Sequence, residues 1–433
     1  MIRIKDTTLL RRYSLPRKPT APTDMHTTHR SRTLIRTATI ALGLLAAGIT
    51  FAAEPATLEE ALLGGKVSLN LRARYEGVDQ TGLKDADAFT LRTRLGYTTA
   101  AYQGFKASLE FENIASPDGD AYSQAGLNSS GAGKAVVADP VGSEVNQVWL
   151  SYTTGATSLT AGRQRLVLDN ARFVGDVGWR QNAQTFDAFV LQNKSVEKLA
   201  LTYAYLDRVN RVFGHKHAQG AWKSDSHLVN AAYTGLPYGT LTTYVYLLDF
   251  DSAAASSCAT YGLSFAGTAP VSDALKITYR SEYARQVDYG SSTLDYASDY
   301  YAIETGLAHK LGSLALGYEV LGSDHNVGFK TPLATLHAFN GWADLFLNTP
   351  ASGLRDLYIK AAVSLPGEVK LLAFYHHFEA DRGGAGLGSE FDLQLGRKLY
   401  KSVTGLVKYA AFDRATTTLP NVQKLWVQVE YAF

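Results

Sequence analysis

The chain has 433 residues, with 42 Lys and Arg against 40 Asp and Glu and a formal net charge of +2. Nine of those bases and two of the acids fall within residues 1–52, so 33 bases and 38 acids remain beyond them. The basic balance therefore belongs to the amino end and is no sign of nucleic-acid binding. The single cysteine, Cys258, excludes an intramolecular disulfide and any multi-cysteine metal site.

At the amino end, Arg30, Arg32 and Arg36 precede an uncharged run of 17 residues from Thr37 to Ala53. Thr50-Phe51-Ala52 puts small residues where a signal peptidase reads, so residues 1–52 are expected to be an export signal cleaved after Ala52. The run is shorter than the roughly 20 residues a membrane helix needs. Met1 and Met25 are the only methionines, and a start at Met25 leaves a signal of ordinary length. Residues 53–65 are then a short periplasmic segment. Within it, Thr57-Leu58-Glu59-Glu60 has the form of a capping box and Gly64-Gly65 offers a helix stop. No later stretch is apolar for the length of a membrane helix, so any crossing must use strands.

Residues 66–433 read as those strands. The first, at 66–76, alternates Leu69, Leu71, Ala73 and Tyr75 with Asn70, Arg72, Arg74 and Glu76. The second, at 87–101, sets Phe89, Leu91, Leu95 and Tyr97 against Arg92 and Arg94, and the third, at 104–113, sets Phe105, Leu109 and Phe111 against Lys106, Glu110 and Glu112. Similar segments follow at 144–154, 156–167, 184–193, 196–207, 225–235, 239–250, 257–268, 273–287, 297–309, 312–321, 353–364, 367–379, 388–399, 402–412 and 422–433. The phases of the fourth, fifth, tenth and fifteenth are ambiguous. In the last strand Leu425, Val427, Val429, Tyr431 and Phe433 suit lipid while Lys424, Trp426, Gln428 and Glu430 suit a wet interior.

The breaks between strands alternate in length. After even strands they are turn-like, as at Gly155, Lys310-Leu311 and Tyr400-Lys401, while after odd strands they reach about 30 residues at 114–143 and 322–352. Tight turns on one side and long loops on the other fit hairpins that face two compartments. Many of the 25 tyrosines also fall near strand ends, where amphipathic rings suit the headgroup level. The fold expected is an all-β transmembrane antiparallel barrel of about eighteen strands, with sixteen the alternative. Such a barrel sits in the bacterial outer membrane as a monomer among its lipids, and its terminal Phe433 is the tag read by barrel-assembly machinery.

A barrel of this size encloses an aqueous passage. The face phased inward carries Arg72, Arg74, Arg92, Arg94, Lys106, Arg163, Arg165, Lys276, Arg280, Lys360, Lys408 and Lys424. Opposing them are Glu76, Glu110, Glu112, Asp187, Glu282, Glu304, Glu319, Asp356, Glu390, Asp392 and Glu430. Most of these charges are expected to pair across neighbouring strands. The group Arg72, Arg74, Arg92 and Arg94 faces few nearby acids and is the candidate for attracting an anionic solute. Two loops stand out: 168–183, with Trp179 and Arg180, and 337–358, with Phe339, Trp342, Asp344 and Phe346. Loops so rich in aromatic residues either fold inward as a constriction or pack together as a lid.

Gly162-Arg163-Gln164, Trp179-Arg180-Gln181-Asn182 leading into Thr185-Phe186-Asp187, Gly341-Trp342-Ala343-Asp344 and Gly353-Leu354-Arg355-Asp356 together resemble the alginate export family of outer-membrane porins. The resemblance implies an eighteen-stranded barrel whose Arg and Lys guide an anionic polysaccharide, a polyuronate, outward, with Arg163, Arg180 and Asp187 in its motif. The mixed lumen departs from an emphatic anion pathway. The other reading is a substrate-selective or general porin for uptake of sugars, organic acids or aromatic compounds.

Enzymatic chemistry finds little support. His215 and His217 lack carboxylates at ligand spacing, and His376 and His377 point to opposite faces of a strand. No serine sits in a nucleophile elbow, and Gly131-Ala132-Gly133-Lys134 lacks the spacing and following Ser or Thr of a phosphate loop. Passive passage needs no bound cofactor, no metal and no catalytic residue.

Overall fold

The computed structural model describes residues 55–433, so the expected export signal lies outside the described residues. The strands are β1 (Lys66–Gln80), β2 (Ala86–Thr98), β3 (Phe105–Ala115), β4 (Gly142–Thr154), β5 (Thr157–Gln164), β6 (Thr185–Asn193), β7 (Leu199–Asn210), β8 (Ala221–Leu236) and β9 (Gly239–Leu248). They continue with β10 (Cys258–Pro270), β11 (Leu275–Val287), β12 (Ala297–His309), β13 (Gly312–Leu321), β14 (Leu354–Leu365), β15 (Val369–Glu379), β16 (Gly386–Tyr400), β17 (Val403–Arg414) and β18 (Val422–Ala432). Each pairs antiparallel with its sequence neighbours, and β18 closes onto β1 from Asn70↔Ala432 to Gln80↔Val422. The result is a closed 18-stranded antiparallel barrel. Closure satisfies every strand edge, which lipid would otherwise leave unpaired.

Alternation decides which side is wet. Phe111, Ile303 and Val427 are 53%, 61% and 44% exposed on the outer face, while Trp426, Arg92 and Glu390 on the inner face are at most 1% exposed. The outside is thus apolar and the inside polar, the reverse of a water-soluble sheet. A six-residue helix, α1 (Leu58–Leu63), precedes β1, and the Thr57 hydroxyl accepts from the Glu60 N–H at 3.1 Å as the capping box requires. The helix sits against the β2–β3 turn, where the Ala100 N–H donates to the Ala61 carbonyl at 3.1 Å.

All eighteen expected strands are present, and two phase ambiguities have local causes. In β4 a bulge shifts the register between Glu110 and Phe111 of β3 and leaves Asn146 unpaired. Val148 and Leu150 face outward after it, whereas Glu144 falls opposite the inward Glu112 before it. In β5, Gly162 adopts φ +117, and Arg163 lies opposite the exposed Val148 and beside Asp187, which shares the parity of the exposed Phe189. By register Arg163 and Asp187 fall in line with outer-facing residues, while the Arg163 side chain lines a cavity with Glu112, Asn182 and Ala183 at the strand end. Arg163 and Asp187 bind each other at 2.7 Å. Arg165, past the end of β5, turns instead to Glu110 at 3.3 Å.

Candidate functional site

Three long loops of one barrel end, 116–141, 165–184 and 322–353, fold into the lumen. The backbone fuses the last two: Gly175 N–H donates to the Leu333 carbonyl at 2.8 Å and Thr335 N–H to the Ala171 carbonyl at 3.0 Å. No side chain fits at 175, because a Cβ there would lie 2.1 Å from the Thr335 hydroxyl. Phe173 pins the pair into an aromatic cluster, with ring centroids 5.3 Å from Tyr244, 5.3 Å from Tyr300 and 6.0 Å from Phe329. Of the two fates open to these loops, inward folding is the one observed.

Arg180 sits at their meeting point. It donates to Glu76 of β1 at 2.9 Å and to Asp344 at 3.0 Å, and lies 3.6 Å from Asp139. Asp344 in turn accepts from Lys424 of β18 at 2.8 Å and from His337 Nδ1 at 2.7 Å. Lys408 Nζ of β17 lies 2.7 Å from His337 Nε2, an arrangement that suits an imidazole proton on Nδ1 facing Asp344. Burial holds His337 well below the usual imidazole range, with the Lys408 ammonium acting in the same direction and Asp344 opposing. Burial alone would raise Asp344, but His337, Lys424 and Arg180 outweigh it and keep this carboxyl ionised.

Around this ionic chain lies an aromatic box. Trp179 stacks on His337 at 4.6 Å, Trp426 meets Trp179 edge-on at 5.7 Å, and Lys408 lies 3.5 Å above the Trp342 ring. Trp342 and Ala343 donate backbone N–H groups to Asp392 at 3.3 Å and Glu390 at 2.6 Å. The turn before them needs Gly341, whose φ of +85 is left-handed and whose Cβ would meet Glu390 at 2.3 Å. Nearby, Arg172 joins Glu319 at 2.8 Å and Asn340 at 3.0 Å while lying 4.7 Å from the Phe339 ring. Phe346 packs on Phe378 at 4.7 Å.

The arginines of β1 and β2 do face inward, but none lacks a partner. Arg72 and Arg92 both bind Glu430 at 3.0 and 3.2 Å, Arg94 binds Glu112, and Arg74 lies 3.8 Å from Asp139 and 4.0 Å from the Trp179 ring. The expectation that this group faces few acids is corrected. The missing acids come from the closing strand and from loop 116–141, both distant in sequence. Three of the four also hold loop 165–184: Arg72 donates to the Gly178 carbonyl at 3.1 Å, and Arg92 and Arg94 reach the Gln181 carbonyl at 3.5 and 3.1 Å. Arg280 is paired with Glu282 at 2.6 Å, and Lys360 lies 3.9 Å from Glu304. Lys106 and Lys276, in phase with the lumen near the short-turn end, have no carboxylate within 4.0 Å among the described residues. Asp139, His337 and Asn340 join the site without having been singled out in the sequence, and Gln181 joins it from a quoted motif without having been named a site residue. Gln181 carried a signal, since it follows Trp179-Arg180 in the aromatic loop.

No protein-family model matches the chain, and no curated protein is similar to it. Solved structures are. Pseudomonas aeruginosa OpdK, solved with vanillate, has 17% identity and a TM-score of 0.67, with 86% of this chain and 99% of that one covered. P. aeruginosa OccK9 (OpdG) has 14% identity, a TM-score of 0.68 and coverage of 86% and 100%. Acinetobacter baumannii OccAB4 has 14% identity, a TM-score of 0.66 and coverage of 85% and 98%. The alginate-export resemblance is corrected by these matches, which are Occ and Opd porins and not alginate exporters. At such identity the likeness is one of fold: the chain has the 18-stranded barrel of bacterial outer-membrane porins.

Proposed function

We propose that the protein is a passive, substrate-selective porin of the outer membrane that admits small organic acids, aromatic ones among them. The observation that carries this reading is the ionic chain Glu76–Arg180–Asp344–Lys424, which ties two inward loops to both sides of the barrel seam. A lumen narrowed in this way by fixed charges and stacked aromatic rings favours small, oriented solutes. Lys106 and Lys276, free of ion pairs at the short-turn end, supply an anionic solute with cations beyond the constriction. OpdK, which shares the fold, was solved with the aromatic acid vanillate. The barrel closes on itself, so one chain suffices as the channel, inserted through assembly machinery that reads Phe433.

Reversal potentials of the refolded protein in a planar bilayer test the reading. A salt gradient should show anion preference, replacing chloride by benzoate on one side should show benzoate carrying current, and proteoliposome swelling should show benzoate entering in preference to glucose-sized neutral solutes. Cation preference, or passage of neutral and anionic solutes without distinction, would overturn it.

A further inference from the structure

The helix α1 is mounted on the outside of the barrel, at the short-turn rim. Tyr97 of β2 shares the outward parity of the exposed Leu91 and Leu95. Its hydroxyl donates to the Leu62 carbonyl, one of the helix's last, and accepts from the Gly65 N–H at 3.1 Å. Ala61 is buried, and its carbonyl takes the Ala100 N–H of the β2–β3 turn. No side chain fits at 65, where a Cβ would lie 2.1 Å from the Tyr97 hydroxyl and 2.6 Å from the Thr98 carbonyl oxygen. Gly65 thus lets the chain pass close over the ring before β1 begins at Lys66.

One face of this helix is open. Leu58 and Leu62, one turn apart, are 57% and 50% exposed, close to the 53% of Val67 and 52% of Leu95 on the adjoining lipid-facing wall. Val67 lies directly opposite Tyr97 in the β1–β2 register, so helix and wall adjoin on the same outward surface. The exposed Phe433 extends that surface on the β18 side, where its backbone pairs with Leu69. Glu60, on the far side of the helix from Leu62, keeps its carboxylate on the Ala56 N–H at 2.7 Å.

We infer that α1 is a lipid anchor: Leu58 and Leu62 enter the periplasmic leaflet of the outer membrane at the boundary of headgroups and acyl chains, with Tyr97 and Gly65 fixing the helix there. The partner is phospholipid and not a periplasmic protein, because the leucines continue the lipid band of the wall without a break in facing. The anchor pins the rim beside the β1–β18 seam at a set depth. It stands whatever solute the channel passes.

Spin labels on the refolded full chain in phosphatidylcholine vesicles test it. Leu62→Cys is labelled in a Cys258→Ser background, since Cys258 is the only native thiol. Ile303→Cys on the lipid face and Lys401→Cys in a short turn serve as standards. Oxygen concentrates among acyl chains and a nickel chelate in water, so the ratio of oxygen to nickel relaxation at Leu62 should exceed that at Lys401 at least about fivefold and approach that at Ile303. Leu58→Cys should behave as Leu62→Cys, with potassium chloride conductance unchanged in both as proof that the barrel is intact. Adding Tyr97→Phe, which keeps the ring and loses both bonds, should cut the Leu62 ratio at least about twofold. An unchanged ratio there would overturn the role given to Tyr97. Nickel access at Leu62 equal to that at Lys401 would overturn the anchor, as would a label shielded from both reagents, the mark of a protein cover.

Discussion

Arg180 and Asp344 stand 164 residues apart in sequence, on different loops, and meet at 3.0 Å inside the barrel. Neither loop belongs to a wall strand. This contact and the wall charges at either side of it add to the backbone bonds and the Phe173 cluster that hold the two loops in place.

Arg180→Ala should widen the channel. Removing one member of a buried ion pair costs about 3–5 kcal/mol because its partners are left uncompensated. Here Glu76, Asp139 and Asp344 would all lose the same cation. Single-channel recordings should show higher and noisier conductance, with the barrel's own thermal unfolding little changed. Conductance equal to the native value would mean that the fused backbone of the two loops holds them unaided.

Arg72→Glu combined with Arg92→Glu should move ion preference toward cations and loosen loop 165–184 together. The substitutions place two carboxylates beside Glu430, remove the Arg72 donor to the Gly178 carbonyl and leave the Gln181 carbonyl to Arg94 alone. Reversal potentials read the first effect, and protease cleavage within 165–184 the second. Unchanged selectivity would mean that these arginines only stiffen the wall.

Acid should open the constriction through His337. Docked, this imidazole is depressed well below its usual value; undocked, it takes a proton near about 6.5. Below that pH the undocked state binds more protons, so docking weakens by about 1.4 kcal/mol per pH unit until the docked value is reached. Asp344 acts in another window: its stabilisation is lost only as pH falls through a value well below the ordinary carboxyl range. Conductance measured from about pH 7.5 down to about pH 5 should rise, and His337→Gln should flatten the rise. A native profile that is flat over this range would exclude the mechanism.

Phe433→Ala should lower the yield of inserted barrel in cells while sparing the backbone bonds between residue 433 and Leu69. Those bonds, at 3.1 and 3.2 Å, do not need the ring. Refolding in detergent should therefore proceed as for the native chain, and a defect there as large as in cells would place the role of the ring in the barrel itself.

Strand number, compartment sides and the lipid face were legible because a two-residue period leaves its mark on every strand. The tenth strand, weak in pattern, still appears as Cys258–Pro270. The facing of Arg163 and Asp187 was not legible because Gly162 and the bulged β4 break the alternation from which facing is inferred. Pairing in the lumen was not legible at all. Glu430 meets Arg72 only because the barrel closes, and Asp139 meets Arg180 only because separate loops converge, so neither contact has a local signature.

The seam between β1 and β18 also sets an order of events. Arg72 and Arg92 share a carboxylate that lies 358 and 338 residues further along the chain, so both cations stay uncompensated until the last strand arrives. Contacts of such sequence separation are slow to form. A chain lacking its final strand would face the bilayer with an open edge and two stranded guanidinium groups, and that unfinished state is poorly suited to entering lipid. Closing the seam and compensating both cations are thereby a single event, made through one glutamate.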